Sequence, residues 1–200
     1  MKKNILIIIG LLVAVNCLAS EIEFGYSETK DTFMKNAKYT VSATRHPLEY
    51  TGMAKLQETN DGYSVVLNAD ADYDLNPFSV FTFGTYTTDT VLGITDRLDI
   101  GVGAGYEIYN DYTNRHKVSY AIMYRAGDWL NSYRYKYTYS SKIFDLKSVI
   151  NFITPTEELQ LDISSNLKFF KNFAIGLKHE YISIKTKRNY YSSMFLKINL

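Results

Sequence analysis

Apolar and polar side chains alternate along most of this 200-residue chain, and the alternation is clearest towards its end. Between positions 159 and 170 one phase is apolar and the other is polar, and residues 190–200 repeat the pattern. The apolar phase of the first segment contains Leu159, Leu161, Ile163, Leu167 and Phe169. Because successive side chains leave a β-strand on opposite faces, a period of two predicts strands with one apolar and one polar face.

Segments with this pattern recur along the chain and are separated by residues typical of turns. All three prolines, Pro47, Pro77 and Pro155, fall between segments, where a missing backbone N–H does not interrupt a ladder. A membrane-spanning strand takes about 9 to 11 residues and a short connection roughly 4, so there is room for about twelve strands and no second domain. The predicted strands are 21–27, 36–44, 48–57, 64–75, 78–87, 98–109, 117–127, 130–140, 144–153, 159–170, 173–183 and 190–200.

Residues 1–19 are predicted to be a secretory signal peptide. They combine a lysine-containing start, an apolar run at 5–15 and a small residue, Ala19, suited to cleavage. The apolar run is shorter than the roughly 18 to 20 residues that a membrane-spanning helix needs. We therefore assign residues 20–200 to one exported domain. The only cysteine, Cys17, would be removed with the signal peptide, so no disulfide and no thiolate are expected.

An exported chain of alternating strands is typical of an all-β, single antiparallel up-and-down transmembrane barrel of the bacterial outer membrane. Such a barrel turns its apolar face to lipid and its polar face to the lumen, and the 18 tyrosines suit the membrane interface. The alternative is a soluble periplasmic ligand carrier, whose barrel turns the apolar face inward. The strand number and the glycines on the polar face of strand six favour the membrane barrel.

The polar face of the predicted barrel carries many charges, which are the candidate functional residues. Strands four and six supply an acidic group, and strands eight, eleven and twelve supply most of the basic residues. Because strands four to six stand opposite strands ten to twelve in a ring of twelve, we expect the acidic group to face Lys178 and Lys197. The candidate lumen-lining residues are Asp70, Asp72, Asp74, Asp99, Glu107, Arg134, Lys136, Lys178, Glu180 and Lys197.

These inward charges allow two interpretations. Separated by water, they would line a passage for small polar solutes. Paired with one another, they would close the lumen and leave an inert scaffold, because buried charges persist only when they are paired or hydrated. Gly101, Gly103 and Gly105 on strand six leave either open space or room for bulky side chains from the opposite side of the lumen.

Catalytic and metal-binding residues are sparse. His46 and His116 are predicted to lie in turns, whereas His179, Ser183 and Ser192 fall in the outward phase of strands eleven and twelve. Barrel hydrolases that act on lipid use a serine and a histidine on the outer wall, so a lipid- or lipopolysaccharide-modifying hydrolase is an alternative function. No spacing resembles a set of metal ligands, and no cofactor is expected.

The middle of the chain resembles a known family. Asp72-Tyr73 precedes a short turn, the run from Asp96 to Tyr106 alternates glycines with apolar residues, and Tyr124-Arg125 ends the next strand. In these features residues 70–127 resemble the salt-induced outer-membrane protein family, a group of uncharacterised bacterial barrels. The resemblance implies an outer-membrane barrel, and it implies no more specific activity.

The sequence therefore predicts a non-enzymatic outer-membrane barrel that acts as a narrow passive channel for small polar solutes or as an envelope scaffold. Its expected partners are outer-membrane lipid and lipopolysaccharide, the barrel-assembly machinery through the C-terminal strand, and small polar solutes. Lys and Arg total 22 against 21 for Asp and Glu, so no basic stripe for nucleic acid is expected.

Overall fold

The computed structural model describes residues 19–28, 33–170, 172–185 and 187–199. Each strand pairs antiparallel with its neighbours in sequence, and the last strand pairs with the first, so the sheet closes into an up-and-down barrel. The predicted fold class and number of strands are confirmed. The strands are β1 (Ala19–Glu28), β2 (Phe33–Arg45), β3 (Leu48–Thr59), β4 (Gly62–Asp74), β5 (Phe78–Asp89), β6 (Ile94–Asn110), β7 (Asn114–Arg125), β8 (Asp128–Ser140), β9 (Phe144–Thr154), β10 (Glu158–Phe170), β11 (Phe173–Ile184) and β12 (Lys187–Asn199).

Two predictions concern parts of the chain that the structure does not describe. The predicted signal peptide lies outside the described residues except for Ala19, which begins β1. The apolar Leu200, at the end of the predicted last strand, also lies outside them. Within the described ranges, no helix is long and apolar enough to cross a membrane.

The two faces of the sheet differ sharply in polarity. Along β6, the side chains of Leu98, Ile100 and Val102 point outward and are 51, 52 and 57% exposed. Asp99, between them, points inward and is only 4% exposed. The apolar phase therefore forms the outer wall and the charged phase lines the lumen, which is the reverse of the arrangement expected of a soluble carrier barrel.

The glycines of β6 make room for aromatic rings of β5. Phe83 stands opposite Gly101 and Phe81 opposite Gly103 in the β5–β6 register. A Cβ atom on Gly101 would lie 2.6 Å from the Phe83 ring, and one on Gly103 would lie 2.5 Å from the Phe81 ring. The structure therefore has bulky side chains over these glycines, but they come from the adjacent strand and not, as expected, from the opposite side of the lumen. This packing also explains why β5 has apolar residues in both phases: its inward rings cover the neighbouring strand.

Strand β7 differs from its predicted bounds at both ends. Its first residues extend the ladder to Asn114, so the prediction that His116 lies in a turn is wrong. His116 Nδ1 lies 2.7 Å from the Tyr135 hydroxyl, and its ring centroid lies 4.8 Å from that of Tyr137. At the other end, Ala126 and Gly127 have φ values of 48 and 100°, and they form a two-residue turn outside the strand. Two-residue hairpin turns with positive φ match the right-handed twist of the strands that they join.

The β6–β7 connection is held by a single carboxylate. Asp111 accepts hydrogen bonds from the backbone N–H groups of Asn114 and Thr113, the latter at 2.7 Å, and from the hydroxyl of Tyr109 at 2.7 Å. Hydrogen bonds to the charged form, above all the one from Asn114, hold the pKa of the Asp111 carboxyl well below its usual range. A side chain that mimics a backbone turn in this way is typical of Asp in tight connections.

The contact between Phe81 and Gly103 predicts a specific sensitivity to side-chain volume. We expect Gly103→Ala to destabilise the barrel by about 1 to 3 kcal/mol, because the added methyl group collides with Phe81 and with the backbone oxygen of Tyr120. Gly84→Ala is the matched control, since a Cβ atom there meets nothing within 4 Å. The measurement is the temperature at which the folded band is lost in a heat-modifiability gel. Equal temperatures for the two variants would contradict the proposed packing.

Candidate functional site

The candidate site is the lumen, whose described part includes two cavities. The larger has a volume of about 390 Å³, and its lining includes Asp70, Arg134, Lys147 and Glu180. The smaller has a volume of about 70 Å³, and it lies between residues of β3, β4, β7 and β8. Because alternate residues of each strand point inward, the strands contribute polar side chains at every level of the lumen.

A buried cluster of ionic side chains lies near one end of the lumen. Arg125 donates hydrogen bonds from Nε and Nη2 to the two oxygens of Asp99, at 2.7 and 2.8 Å, and from Nη1 to Glu158 Oε2, at 2.6 Å. Arg97 adds contacts of 3.4 Å to Asp99 and 3.6 Å to Glu158. The side chain of Glu158 is completely buried. Multiple charge-assisted hydrogen bonds are what allow such charges to remain in a confined space.

Apolar side chains narrow the lumen beside this cluster. Met123, two residues before Arg125 on the same face, forms a buried core with Leu130 and Ile153, and Phe83 packs against it. The turn after β5 adds Leu92, which is 6% exposed and lines the larger cavity. Its backbone N–H donates to Asp89 Oδ1 at 2.9 Å, so the turn is held in this position. At this end of the lumen, buried apolar side chains therefore pack beside the ionic cluster, and both line the larger cavity.

One ion pair reaches across the middle of the lumen. Lys55 Nζ donates to both oxygens of Glu180, at 2.7 and 2.5 Å. In the order of the barrel, β3 and β11 are separated by β2, β1 and β12, so this contact spans the lumen instead of running along its wall. Lys178 lies 3.0 Å from Glu180 and 3.4 Å from Asp162 and completes the group.

The acidic residues of β4 have different partners. Asp70 Oδ2 accepts a hydrogen bond from the amide of Asn68, whose own oxygen accepts one from Thr85. Asp72 forms an ion pair with Lys117 of β7 at 3.0 Å. This second contact also joins strands that are not neighbours, and it lies beside the smaller cavity.

The ten residues that the sequence predicted to line the lumen fall into four groups in the structure. The larger cavity is lined by Asp70, Asp99, Arg134, Lys178 and Glu180. The smaller cavity is lined by Asp72, Asp74 and Lys136. The remaining two form ion pairs, Glu107 with Arg115 and Lys197 with Glu21.

The expected opposition of charges is not what the contacts show. Lys178 pairs with Glu180 and Asp162, and Lys197 pairs with Glu21 of the adjacent strand β1. In the described part of the chain, neither lysine pairs with an acidic residue of β4, β5 or β6. The acidic residues of those strands that form ion pairs in the described structure have their partners on β6 and β7, because the stagger of the strands sets which residues share a level.

Sequence reasoning missed several residues of the site. Lys55, Lys117 and Lys147 lie in the inward phase of predicted strands, so the alternation could have identified them. Arg97 and Glu158 fell in predicted connections, since the pattern becomes irregular there although the ladder continues. No signal in the sequence would have brought those two together.

The outward histidine does not have the geometry of a hydrolase site. His179 stands opposite Ser192 in the β11–β12 register. Its Nδ1 lies 3.0 Å from the Tyr190 hydroxyl, and the two rings are stacked. Among the described residues, His179 has no hydrogen bond to Ser183 or Ser192. The described residues also contain no group of three potential ligands that could hold a metal ion.

A closed twelve-stranded barrel with an apolar outer wall and a charged lumen is the architecture of outer-membrane porins and channels. The KdgM porin, solved in complex with disordered oligogalacturonate, is similar with a TM-score of 0.58 and 7% identity, over 90% of this chain and 99% of that one. The NanC porin is similar with a TM-score of 0.56 and 10% identity, over 90% of this chain and 98% of that one. The COG4313 outer membrane channel from Pseudomonas putida F1 has a TM-score of 0.51 and 10% identity, over 92% of this chain and 95% of that one. At such identities the likeness shows the fold alone.

The family is shown by the sequence. Residues 22–126, just over half of the chain, match the family described as "Protein of unknown function, DUF481", and the chain belongs to that family. The match includes most of the segment 70–127 that carries the resemblance described above. No curated protein matches the chain.

The buried ionic cluster makes the stability of the barrel depend on Glu158. We expect Glu158→Gln to destabilise the folded barrel by about 3 kcal/mol, because Arg125 and Arg97 lose a buried counter-charge. Glu157→Gln removes the same charge from an exposed position in the adjacent turn and should have little effect. Unfolding in urea, followed by tryptophan fluorescence and gel mobility, measures the difference. A stable Glu158→Gln variant would mean that the cluster does not hold this end of the barrel together.

Proposed function

We propose that this protein is an outer-membrane β-barrel that forms a narrow passive channel for small polar solutes. The observation that carries the proposal is a cavity of about 390 Å³, lined in part by charged side chains, within a barrel whose outer wall is apolar. Similarity to porins and channels supports the fold on which the proposal stands. The proposal includes membership of the salt-induced outer-membrane protein group, contact with lipid and lipopolysaccharide, and assembly through the C-terminal strand.

Aromatic side chains at both rims support the membrane location. Tyr124 and Trp129 are in contact near the β7–β8 turn, with ring centroids 5.4 Å apart. At the opposite rim, Phe78 and Tyr106 have centroids 5.1 Å apart. Amphipathic rings at both ends of an apolar wall are typical of barrels that meet two membrane interfaces.

The membrane location predicts an asymmetry between the two faces of β10. Ile163→Arg should impair insertion by about 2 to 4 kcal/mol, because the charge would face the hydrocarbon near the midplane. Asn166→Arg is the control, since this residue points inward and stands opposite Asp145 of β9. The measurement is the fraction of each variant that folds into lipid vesicles, read from heat-modifiable mobility. If Asn166→Arg impairs insertion more than Ile163→Arg, the assignment of the faces is wrong.

The scaffold remains the second candidate, because the structure contains contacts that obstruct the lumen. The ion pair between Lys55 and Glu180 crosses the larger cavity, and the cluster around Glu158 occupies one end of the lumen. A lumen closed by such contacts would contribute to the envelope only as a stable structure. The two candidates differ in a single measurable property, the passage of ions.

Single-channel conductance of the refolded protein in a planar bilayer tests the channel. We expect small, discrete conductance steps for the wild type, and an increase of roughly twofold or more for Lys55→Ala/Glu180→Ala, because the contact across the lumen is removed. The matched control is Lys197→Ala/Glu21→Ala, which removes an equally short ion pair between adjacent strands and should leave the conductance unchanged. If neither the wild type nor the Lys55→Ala/Glu180→Ala variant conducts ions, the channel proposal is overturned and the scaffold is left.

A further inference from the structure

Most charged side chains in the lumen have a partner, but three cations do not. Within the ranges that the structure describes, Arg134, Lys136 and Lys147 form no ion pair and no hydrogen bond. The other basic residues that line the cavities, such as Lys55 and Lys117, are paired with carboxylates. Because a charge in a confined space is costly unless it is paired or hydrated, three unpaired cations need an explanation.

The three cations lie next to one another on the wall. Arg134 and Lys136 are two positions apart on β8 and therefore share its inward face. Lys147 of β9 stands opposite Thr138, which places it diagonally across from Lys136. On the other side, Lys117 of β7 stands directly opposite Lys136. Like charges directly opposite on neighbouring strands are destabilising, so the empty wall carries an electrostatic cost that an anion would relieve.

The cations are accessible from the lumen. Arg134 and Lys147 line the larger cavity, and both side chains are exposed although they point into the barrel. Lys136 lines the smaller cavity, one step further along the same strand. A solute in the larger cavity would therefore meet Arg134 and Lys147 first, with Lys136 next along its path.

The acidic side chains near the three cations form no ion pair with them in the described structure. Asp70, whose charge acts on Arg134 from β4, is hydrogen-bonded to Asn68 and forms no ion pair with Arg134. Asp162, whose charge acts on Lys147, is paired with Lys178. Glu49 lines the smaller cavity beside Lys136 and its charge acts on that lysine, but the two form no ion pair in the described structure. Among the described residues, no carboxylate is therefore in contact with the three cations.

We propose that Arg134, Lys136 and Lys147 form a subsite in the lumen for the oxyanion group, carboxylate or phosphate, of a small organic solute. The planar guanidinium of Arg134 can bind two oxygens at once, and the two lysines, both on the Thr138 side of Arg134, add point charges. Nearby neutral groups, such as Ser132 and Asn151, which are hydrogen-bonded at 2.7 Å, offer polar contacts for the rest of the solute. The inference rests on the proposed channel, whose substrate class it specifies.

The test uses the refolded full barrel and a variant that lacks the three charges, Arg134→Gln/Lys136→Gln/Lys147→Gln. The control removes three exposed cations outside the lumen, Lys35→Gln/Lys142→Gln/Lys185→Gln. The probe is inorganic phosphate, compared with chloride at equal ionic strength so that general screening cancels. The readouts are the thermal unfolding midpoint in detergent and the reversal potential in a potassium chloride gradient.

We expect phosphate to raise the unfolding midpoint of the wild type and of the control. In the lumen variant, the phosphate concentration needed should rise roughly tenfold or more, which corresponds to about 1.4 kcal/mol. The anion preference in the reversal potential should fall in the same variant. Arg134→Lys, which keeps the charge but loses the planar fork, should keep the anion preference and weaken phosphate binding by a smaller factor. If the triple variant does not fold, Lys147→Gln, at an exposed position, replaces it in the same comparison.

The possible failures are distinguishable. Phosphate binding that depends on the three cations in a barrel that does not conduct would overturn the channel and support the subsite in a closed lumen. A barrel that conducts, but responds equally to phosphate and chloride, would overturn the subsite and support the channel. Equal phosphate binding by the wild type and by the lumen variant would also overturn the subsite.

Discussion

Closure of the hydrogen-bonded ladder is the constraint on which the rest of this structure depends. An open sheet leaves a row of unpaired backbone donors and acceptors along each edge, and these are especially costly where no water can reach them. Pairing β12 with β1 removes both edges, and it brings Ile22 opposite Ile198 and Glu23 opposite Lys197. Once the ring is closed, the inward phase of every strand shares one narrow space. The polar residues there must then find partners, hold water or hold a solute.

The lumen meets this demand in different ways along its length. Near the β7–β8 and β9–β10 turns, Arg125 is hydrogen-bonded to the buried carboxylates of Asp99 and Glu158. In the middle, Lys55 and Glu180 form a contact across the lumen, while most other pairs lie along the wall. On β8 and β9, cations face open space. Towards the opposite end the charges are paired again, Glu107 with Arg115 and Asp145 with Lys168. Paired and unpaired charges therefore share one lumen, although the strands that build it are continuous.

The sequence predicted the fold well because the alternation is a local signal that recurs in strand after strand. The outward position of Val102 and the inward position of Asp99 follow from the period of two. Partners inside the lumen could not be predicted, because they depend on the stagger of the strands around the ring. Glu158 shows the limit: it looked like a residue of a connection, yet it is the most deeply buried charge of the described chain. The error at His116 has a different cause, since aromatic contacts extend a strand beyond its clear alternation.

The packing of Phe81 and Phe83 over Gly103 and Gly101 has a consequence for how this wall can change over generations. Each ring on β5 fills the space that the glycine opposite it on β6 leaves. A larger residue at position 103 is compatible with the fold only if position 81 becomes smaller. We therefore expect these pairs to covary among relatives, with a bulky residue on one strand accompanied by a small one on the other. Paired substitutions would then preserve the close packing of the lumen wall, even in relatives that retain neither residue.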